Sequence, residues 1–362
     1  MHDLQELKEM RAEMTGRRPE GLRSARDLLL AEARSGGRRR WATWTHDIRP
    51  RIRPRATLIA GTAVAVSAAI TAALLAGSPG HSAPPAGPPS GTPVLTVAYV
   101  LGRAASAAAA AHQPVPRPGQ YIYVSSVATE LSLEGGSNGQ LDAWLTTTDR
   151  RIWQSASGYR AGVLQRVARG QQKLPWGVTP PPAPGGRVQW DPLSALACPG
   201  AAPPQGSYAF LATLPTAVPQ LQAWIYGHKE GSQPANEQVW TDIGDLLRET
   251  LVPPKLAAAL FKVAATIPGA RVVRNATDAA GRSGIAVARY DSGFKADMEL
   301  IFKPGTYQLL GERSVLAKPV QGEGPAGTVV QSTAQLRTSV ASRLPHFTSS
   351  VPQSKLPTGP GC

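Results

Sequence analysis

Residues 121–133, YIYVSSVATELSL, and residues 140–156, QLDAWLTTTDRRIWQSA, decide the fold. Their side chains follow the period of strands rather than of helices, and the glycines from Gly135 to Gly139 between them supply a turn. A third stretch, YRAGVLQRVA at 159–168, continues the pattern, so the region reads as an antiparallel meander. Before it, residues 94–111 carry Val94, Val97, Tyr99 and Leu101 ahead of an alanine run, a helix ended by His112 and Pro114. After it, residues 173–206 are rich in Pro and Gly and read as an irregular excursion interrupted by Val188 and Trp190.

Helical spacing returns at 216–227 and 236–266, the latter split at Pro253–Pro254. Ile243, Leu246, Leu247 and Leu251 lie before the break; Leu256, Leu260, Phe261 and Val263 follow it. A second run of strands closes the chain: ARVVRN, GIAVARY, MELIFK, TYQLLGERSVLA and TVVQSTAQL, joined by turns such as DAAGRSG and KPGT. Helix, strands, helices, strands is the order of an α+β domain with a mainly antiparallel sheet, not of a doubly wound one.

Upstream, residues 56–77, ATLIAGTAVAVSAAITAALLAG, run 22 residues without charge or proline, enough to cross a bilayer as one helix. No later stretch is comparably long and charge-free. The 14 basic residues of positions 1–55, with Arg49, Arg51, Arg53 and Arg55 beside the span, place that lead in the cytoplasm. A lead of 55 residues argues against a cleaved signal peptide, so the expectation is an uncleaved anchor in the cell membrane, with cleavage in the Ala-rich text near Ala76 as the alternative. The chain then divides into a cytoplasmic segment, 1–55; a transmembrane helix, 56–77; a stiff Pro/Gly-rich linker, 78–93; an extracytoplasmic α+β domain, 94–343; and a tail, 344–362.

Positions 1–55 also hold 8 acidic residues, so +6 of the chain's net +14 belongs to the lead and the excess beyond it is thinly spread. That suits loose attraction to anionic lipid or envelope polymer. Arg38, Arg39, Arg40, Trp41 and Trp44 resemble a nucleic-acid patch, but basic residues and Trp beside a span are the usual interfacial anchor, and no recognition motif accompanies them. Leu4, Leu7 and Met14, then Leu22, Leu28 and Leu29, mark two short amphipathic helices without a core of their own. They are candidate partner-binding positions, above all Leu4, Leu7, Met14 and Leu28. A stub that only sets topology, or a helix lying on the membrane, remains an alternative.

The stretches LATLPTAVPQLQAWI, IGDLLRETLVPPKLAAALFKVAATIPGARVV, DAAGRSGIAVARY and ELIFKPGTYQLLGERSV, together with YIYV, resemble an uncharacterised family of single-pass membrane proteins from high-GC Gram-positive bacteria. The likeness covers most of the chain and is most specific at 246–254. It implies an anchored extracytoplasmic domain associated with sigma-factor signalling, and no known catalysis or cofactor. By pattern alone the domain is also similar to lipid-carrier and periplasmic-sensor folds, in which a curved, half-open antiparallel sheet is covered by helices.

Catalytic candidates are sparse. His81, His112, His228 and His346 are scattered over linker, helix end, loop and tail, none at metal-ligand spacing; Ser283 falls in a hairpin turn. GEGPAG at 322–327 has the spacing of a dinucleotide fingerprint, but a strand follows where that motif needs a helix. Asp245 and Glu249, with Arg248, read as an i,i+4 set on an exposed helix face, and Asp297 and Glu299 as neighbours on one strand face. Asn275-Ala-Thr277 fits a glycosylation sequon and reads as turn chemistry. Cys198 and Cys362 both lie beyond the span, where an oxidising compartment favours a disulfide between them; two free thiols are the alternative. A lead offering only His2 and His46, and no Cys, lacks the ligands of zinc-binding anti-sigma domains.

The expectation is therefore a membrane-anchored sensory or ligand-binding protein, without enzyme activity, metal or cofactor. Its cytoplasmic lead would hold a regulator such as a sigma factor. The alternative is a carrier of lipid or another envelope component on a curved-sheet domain.

Overall fold

The computed structural model describes residues 95–347 apart from 136–140, 181–184, 230 and 232. The cytoplasmic lead with Leu4, Leu7, Met14 and Leu28, the 56–77 span, the linker and Cys362 lie outside the described residues. Among the described residues no helix is long and apolar enough to cross a membrane.

Helix α1 (Val97–Ala109) begins where the Thr96 side chain accepts a hydrogen bond from the Tyr99 backbone, and it buries Val100, Leu101, Ala104 and Ala105 as one stripe. The first meander follows: β1 (Tyr121–Gly135), β2 (Leu141–Ser155), β3 (Gly162–Lys173) and the short β4 (Val188–Leu193). β1 and β2 pair along their whole length, from Tyr121 opposite Ser155 to Gly135 opposite Leu141. Four helices come next: α2 (Tyr208–Leu211), α3 (Val218–His228), α4 (Ala235–Leu247) and α5 (Pro254–Ala264). The chain closes with β5 (Ala270–Thr277), β6 (Ser283–Asp291), β7 (Ala296–Phe302), β8 (Leu309–Leu316) and β9 (Val329–Ala341).

All nine strands form one antiparallel sheet in the order β4-β3-β2-β1-β9-β8-β7-β6-β5. The two runs of strands are one layer because β9 inserts between β1 and β8. The fold is thus α+β with an antiparallel sheet, as the sequence pattern predicts. Register shifts interrupt five of the eight ladders, each a site where the strand bends and twists more strongly.

The helices cover one face of the second meander. Leu101, Leu221, Ile225, Val239, Ile243, Leu256, Leu260 and Phe261 pack with Val287, Met298, Leu300 and Phe302 in the main core. Period-2 alternation sends Ile301 of β7 to the opposite face, where it joins Ala276, Ala286 and Leu310. That is why every residue of β7 is buried.

The two meanders are joined by more than β9. β8 and β9 pair only from Arg313 opposite Ser332 to Val315 opposite Val329. Past the end of that ladder, Arg282 from the β5–β6 turn donates to the carbonyls of Leu310 at 2.8 Å and Gln335 at 3.0 Å. Its Nε meets Asp278 at 2.7 Å, and Asp278 also accepts from the backbone N–H groups of Ala280 and Arg282. One guanidinium therefore fastens a turn across the seam.

Candidate functional site

The feature that apolar packing does not explain is a layer of charge between the end of α4 and the sheet. After Leu247 the chain cannot remain helical for long, because Pro253 and Pro254 disfavour the helical region for the residues before them. Arg248 takes an extended conformation, with its N–H still bonded to the Gly244 carbonyl, and Glu249 adopts a left-handed φ of 47°. For a residue with a side chain that conformation costs about 1–2 kcal/mol and persists only where its surroundings hold it.

What holds it is an arginine on β2. Arg150 donates to Glu249 from Nε at 2.8 Å and Nη2 at 3.0 Å, and Ser126 on β1 adds a hydroxyl donor at 2.6 Å. Arg248 pairs with Asp245, one turn earlier in α4, and its Nε stands 3.3 Å from Glu312 Oε2 on β8. Gly244 faces the same carboxyl: a Cβ there would stand in van der Waals contact with Glu312 Oε1, at 3.4 Å. The linking segment anchors both halves of the sheet: Leu251 packs with Ile122, Val124 and Ala156, while Val252 joins the main core.

Burial sets the electrostatics. It would raise the Glu249 carboxyl, but the charge and hydrogen bonds of Arg150, with the bond from Ser126, hold that carboxyl below the ordinary value. Asp245 and Glu130 stay raised, because burial outweighs the attraction of Arg248 and of Arg150 respectively. Burial pushes Glu312 up to about 7 against the pull of Arg248. Both arginines are raised despite their burial, Arg150 by Glu249 and Arg248 by Glu312 and Asp245.

Two small cavities adjoin the layer. One, about 20 Å³, is lined by Trp240, Thr241, Gly244, Glu312 and Thr333 among others; the second, about 10 Å³, touches Ser126, Arg248, Glu249 and Glu312. They are of the size that holds a water molecule or so, and neither has room for an acyl chain. Glu312 Oε1 and Thr241 Oγ1, on residues lining the larger cavity, are buried without a hydrogen-bond partner in the protein.

Asp245 and Glu249 are thus not an exposed i,i+4 pair. The helix ends between them and both face a buried layer, a correction that follows from the extended turn at Arg248. Asp297 and Glu299 do share one strand face, each with its own arginine: Arg271 at 2.5 Å from Asp297, and Arg313 at 2.6 Å from Glu299. His112 and His346 are exposed, and His228 at the end of α3 stacks on Trp224 with ring centroids 4.9 Å apart. Among the described residues no three His, Cys, Asp or Glu side chains are grouped to hold a metal. GEGPAG joins β8 to β9 with a bridge between Val320 and Gly324, so a strand follows it. Ser283 opens β6, and Asn275 has a left-handed φ of 60° at the irregularity in β5. Cys198 sits half-buried in the segment after β4.

No protein-family model and no curated protein matches the chain. Among solved structures it is similar to the complex of Pseudomonas aeruginosa MucA/MucB, at 11% identity and a TM-score of 0.23. It is likewise similar to MucB in complex with MucA(peri), at 12% identity and the same TM-score. The matches cover 73% of this chain, which spans about three fifths of the chains it matches (61% and 60%). At that TM-score the likeness establishes neither a shared topology nor a shared partner.

Proposed function

We propose that the chain is a single-pass envelope protein whose outer α+β domain is a sensory module, its state relayed through the membrane to residues 1–55. The observation that carries this reading is the joint at Arg150 and Glu249. A strained residue between α4 and α5 is clamped to the sheet by charge, and α5 packs directly against α1, the first helix after the linker. A ligand or partner that alters the clamp therefore acts on the element nearest the anchor. Paired, buried charges with strained backbone are suited to two discrete arrangements rather than to turnover of a substrate.

The cytoplasmic end would hold a transcription regulator such as a sigma factor, as the family resemblance implies, through the apolar faces at Leu4, Leu7, Met14 and Leu28. The carrier reading is less well supported, since the cavities beside the layer are too small for a lipid tail. A hydrolytic role lacks a set of nucleophile, base and orienting group among the described residues.

The test is photo-crosslinking in living cells from positions 7 and 28 of the full chain. Specific protein adducts, lost in Leu7→Asp and Leu28→Asp and changed in yield by Glu249→Gln in the outer domain, support the relay. Adducts indifferent to Glu249→Gln would show a lead that binds a partner without hearing the outer domain. Background labelling alone would leave residues 1–55 as an anchor and return the carrier reading to first place.

A further inference from the structure

The buried layer does not balance its own charge. It sets the carboxyl groups of Asp245, Glu249 and Glu312, with Glu130 nearby, against two guanidinium groups, Arg150 and Arg248. Arg150 is committed to Glu249 by two hydrogen bonds, and Arg248 is shared between Asp245 and Glu312. Among Asp245, Glu249 and Glu312, one carboxylate is left short of a counter-ion. The side chain that shows the shortfall is Glu312: its Oε1 is buried without a partner and lies against the cavity shared with Thr241. A buried carboxylate in that position is disfavoured unless it takes a proton.

We propose that the seat of α4 on the sheet is a proton-operated latch: protonated Glu312 leaves Asp245 and Glu249 matched by Arg248 and Arg150 and α4 held down, and loss of that proton adds a buried negative charge that releases the end of α4 and residues 248–253.

The groups facing Glu312 are few. From α4 comes Asp245, and from the segment after it Arg248 and Glu249. From the sheet come Ser126 of β1 and Thr333 of β9, whose hydroxyl accepts from the Glu312 backbone; Arg150 of β2 and Glu130 of β1 act on Glu249 rather than on Glu312. The neighbouring Arg313 is committed to Glu299. No histidine is among them, so the titration near neutrality belongs to carboxyl groups. Burial first, then the repulsion of Asp245 and Glu249, moves the Glu312 carboxyl from 4.5 to about 7 against the attraction of Arg248. A carboxyl raised in the folded state contributes stability that is complete below about 4.5 and lost as pH rises through about 7.

The inference deepens the sensory reading by naming the proton as one signal at its joint, and it is testable without the cytoplasmic partner. Hydrogen–deuterium exchange is followed at residues 241–252 of the purified full-length protein in micelles from pH 5 to 9, normalised to intrinsic exchange rates. The expected result is protection that falls roughly tenfold between pH 6 and 8 in the wild type and stays flat in Glu312→Gln. Asp245→Asn, which removes a repelling charge, moves the transition to lower pH; a merely structural role would not shift it in that direction. Infrared spectroscopy of the wild type supplies a check that needs no variant: a protonated carboxyl band that disappears through the same pH range. Protection independent of pH, an unchanged transition in Glu312→Gln, or a carboxyl band that does not titrate overturns the latch. A latch that titrates while crosslinks from positions 7 and 28 ignore it overturns the sensory reading and leaves the latch standing.

Discussion

Arg150 and Glu249, 99 residues apart in the chain, meet in a two-pronged ion pair whose side chains are only 15% and 16% exposed. Such a pair stabilises less by its own attraction than by what its disruption would strand. Arg150→Met should cost roughly 3–5 kcal/mol in denaturant unfolding, because it leaves the Glu249 carboxylate buried beside Asp245 and Glu312. The double variant Arg150→Met/Glu249→Leu should recover most of that loss. A double variant as unstable as the single one would show that the pair itself carries the stability.

Arg282 gives a second test, at the seam between the meanders. Removing it strands the Asp278 carboxylate, whose side chain has no exposure, together with two strand carbonyls. Arg282→Ala should destabilise by about 3 kcal/mol. Arg282→Lys should recover less than half, since an ammonium cannot reproduce a planar fork that serves Asp278, Leu310 and Gln335 together. Full rescue by lysine would show that charge alone matters here.

At Gly311, β8 lies close against the backbone of β9. A Cβ at this position would stand 2.1 Å from the Thr333 carbonyl oxygen, a backbone atom that can move only by parting the strands. Gly311→Ala should therefore cost on the order of 3 kcal/mol and raise amide exchange in both β8 and β9. By contrast Gly102→Ala in α1, which meets nothing within 4 Å, should be neutral or stabilise by up to about 1 kcal/mol. Equal effects at the two sites would contradict the close approach.

Cys198 and Cys362 are expected to pair. Closing a loop of that length should stabilise by roughly 4–5 kcal/mol in the chain-entropy account, less any strain. Non-reducing peptide mapping of protein taken from the cell envelope should recover a linked peptide. Free alkylation of both thiols would refute the pairing.

Much of this fold is visible in the chain's local pattern, because the pattern encodes the faces of elements. The alternation in GIAVARY and MELIFK gives β6 and β7, DAAGRSG gives the turn between β5 and β6, and Pro253–Pro254 marks the break between α4 and α5. What the pattern does not encode is which distant strands become neighbours. Nothing in TVVQSTAQL says that it lies against residues 126–130 rather than at an edge. The candidate site was missed for the same reason. Asp245 and Glu249 have helical spacing, and only their remote partners, Arg150 on β2 and Glu312 on β8, show that they face inward. One local signal was available: two consecutive prolines four residues beyond Glu249 make a continuous helix through it improbable.

Because β9, the last strand among the described residues, lies at the centre of the sheet, the domain cannot mature in the order in which it is synthesised. Until residues 329–341 arrive, β1 and β8 each offer an open edge, and the first meander waits beside an unfilled gap while residues 194–328 are added. Pairing across so long an interval is slow, since the loop must close before its contacts reward it. A chain stopped short of position 329 would then have two template edges instead of one seam, making the nascent polypeptide, rather than the finished domain, the form most in need of a chaperone.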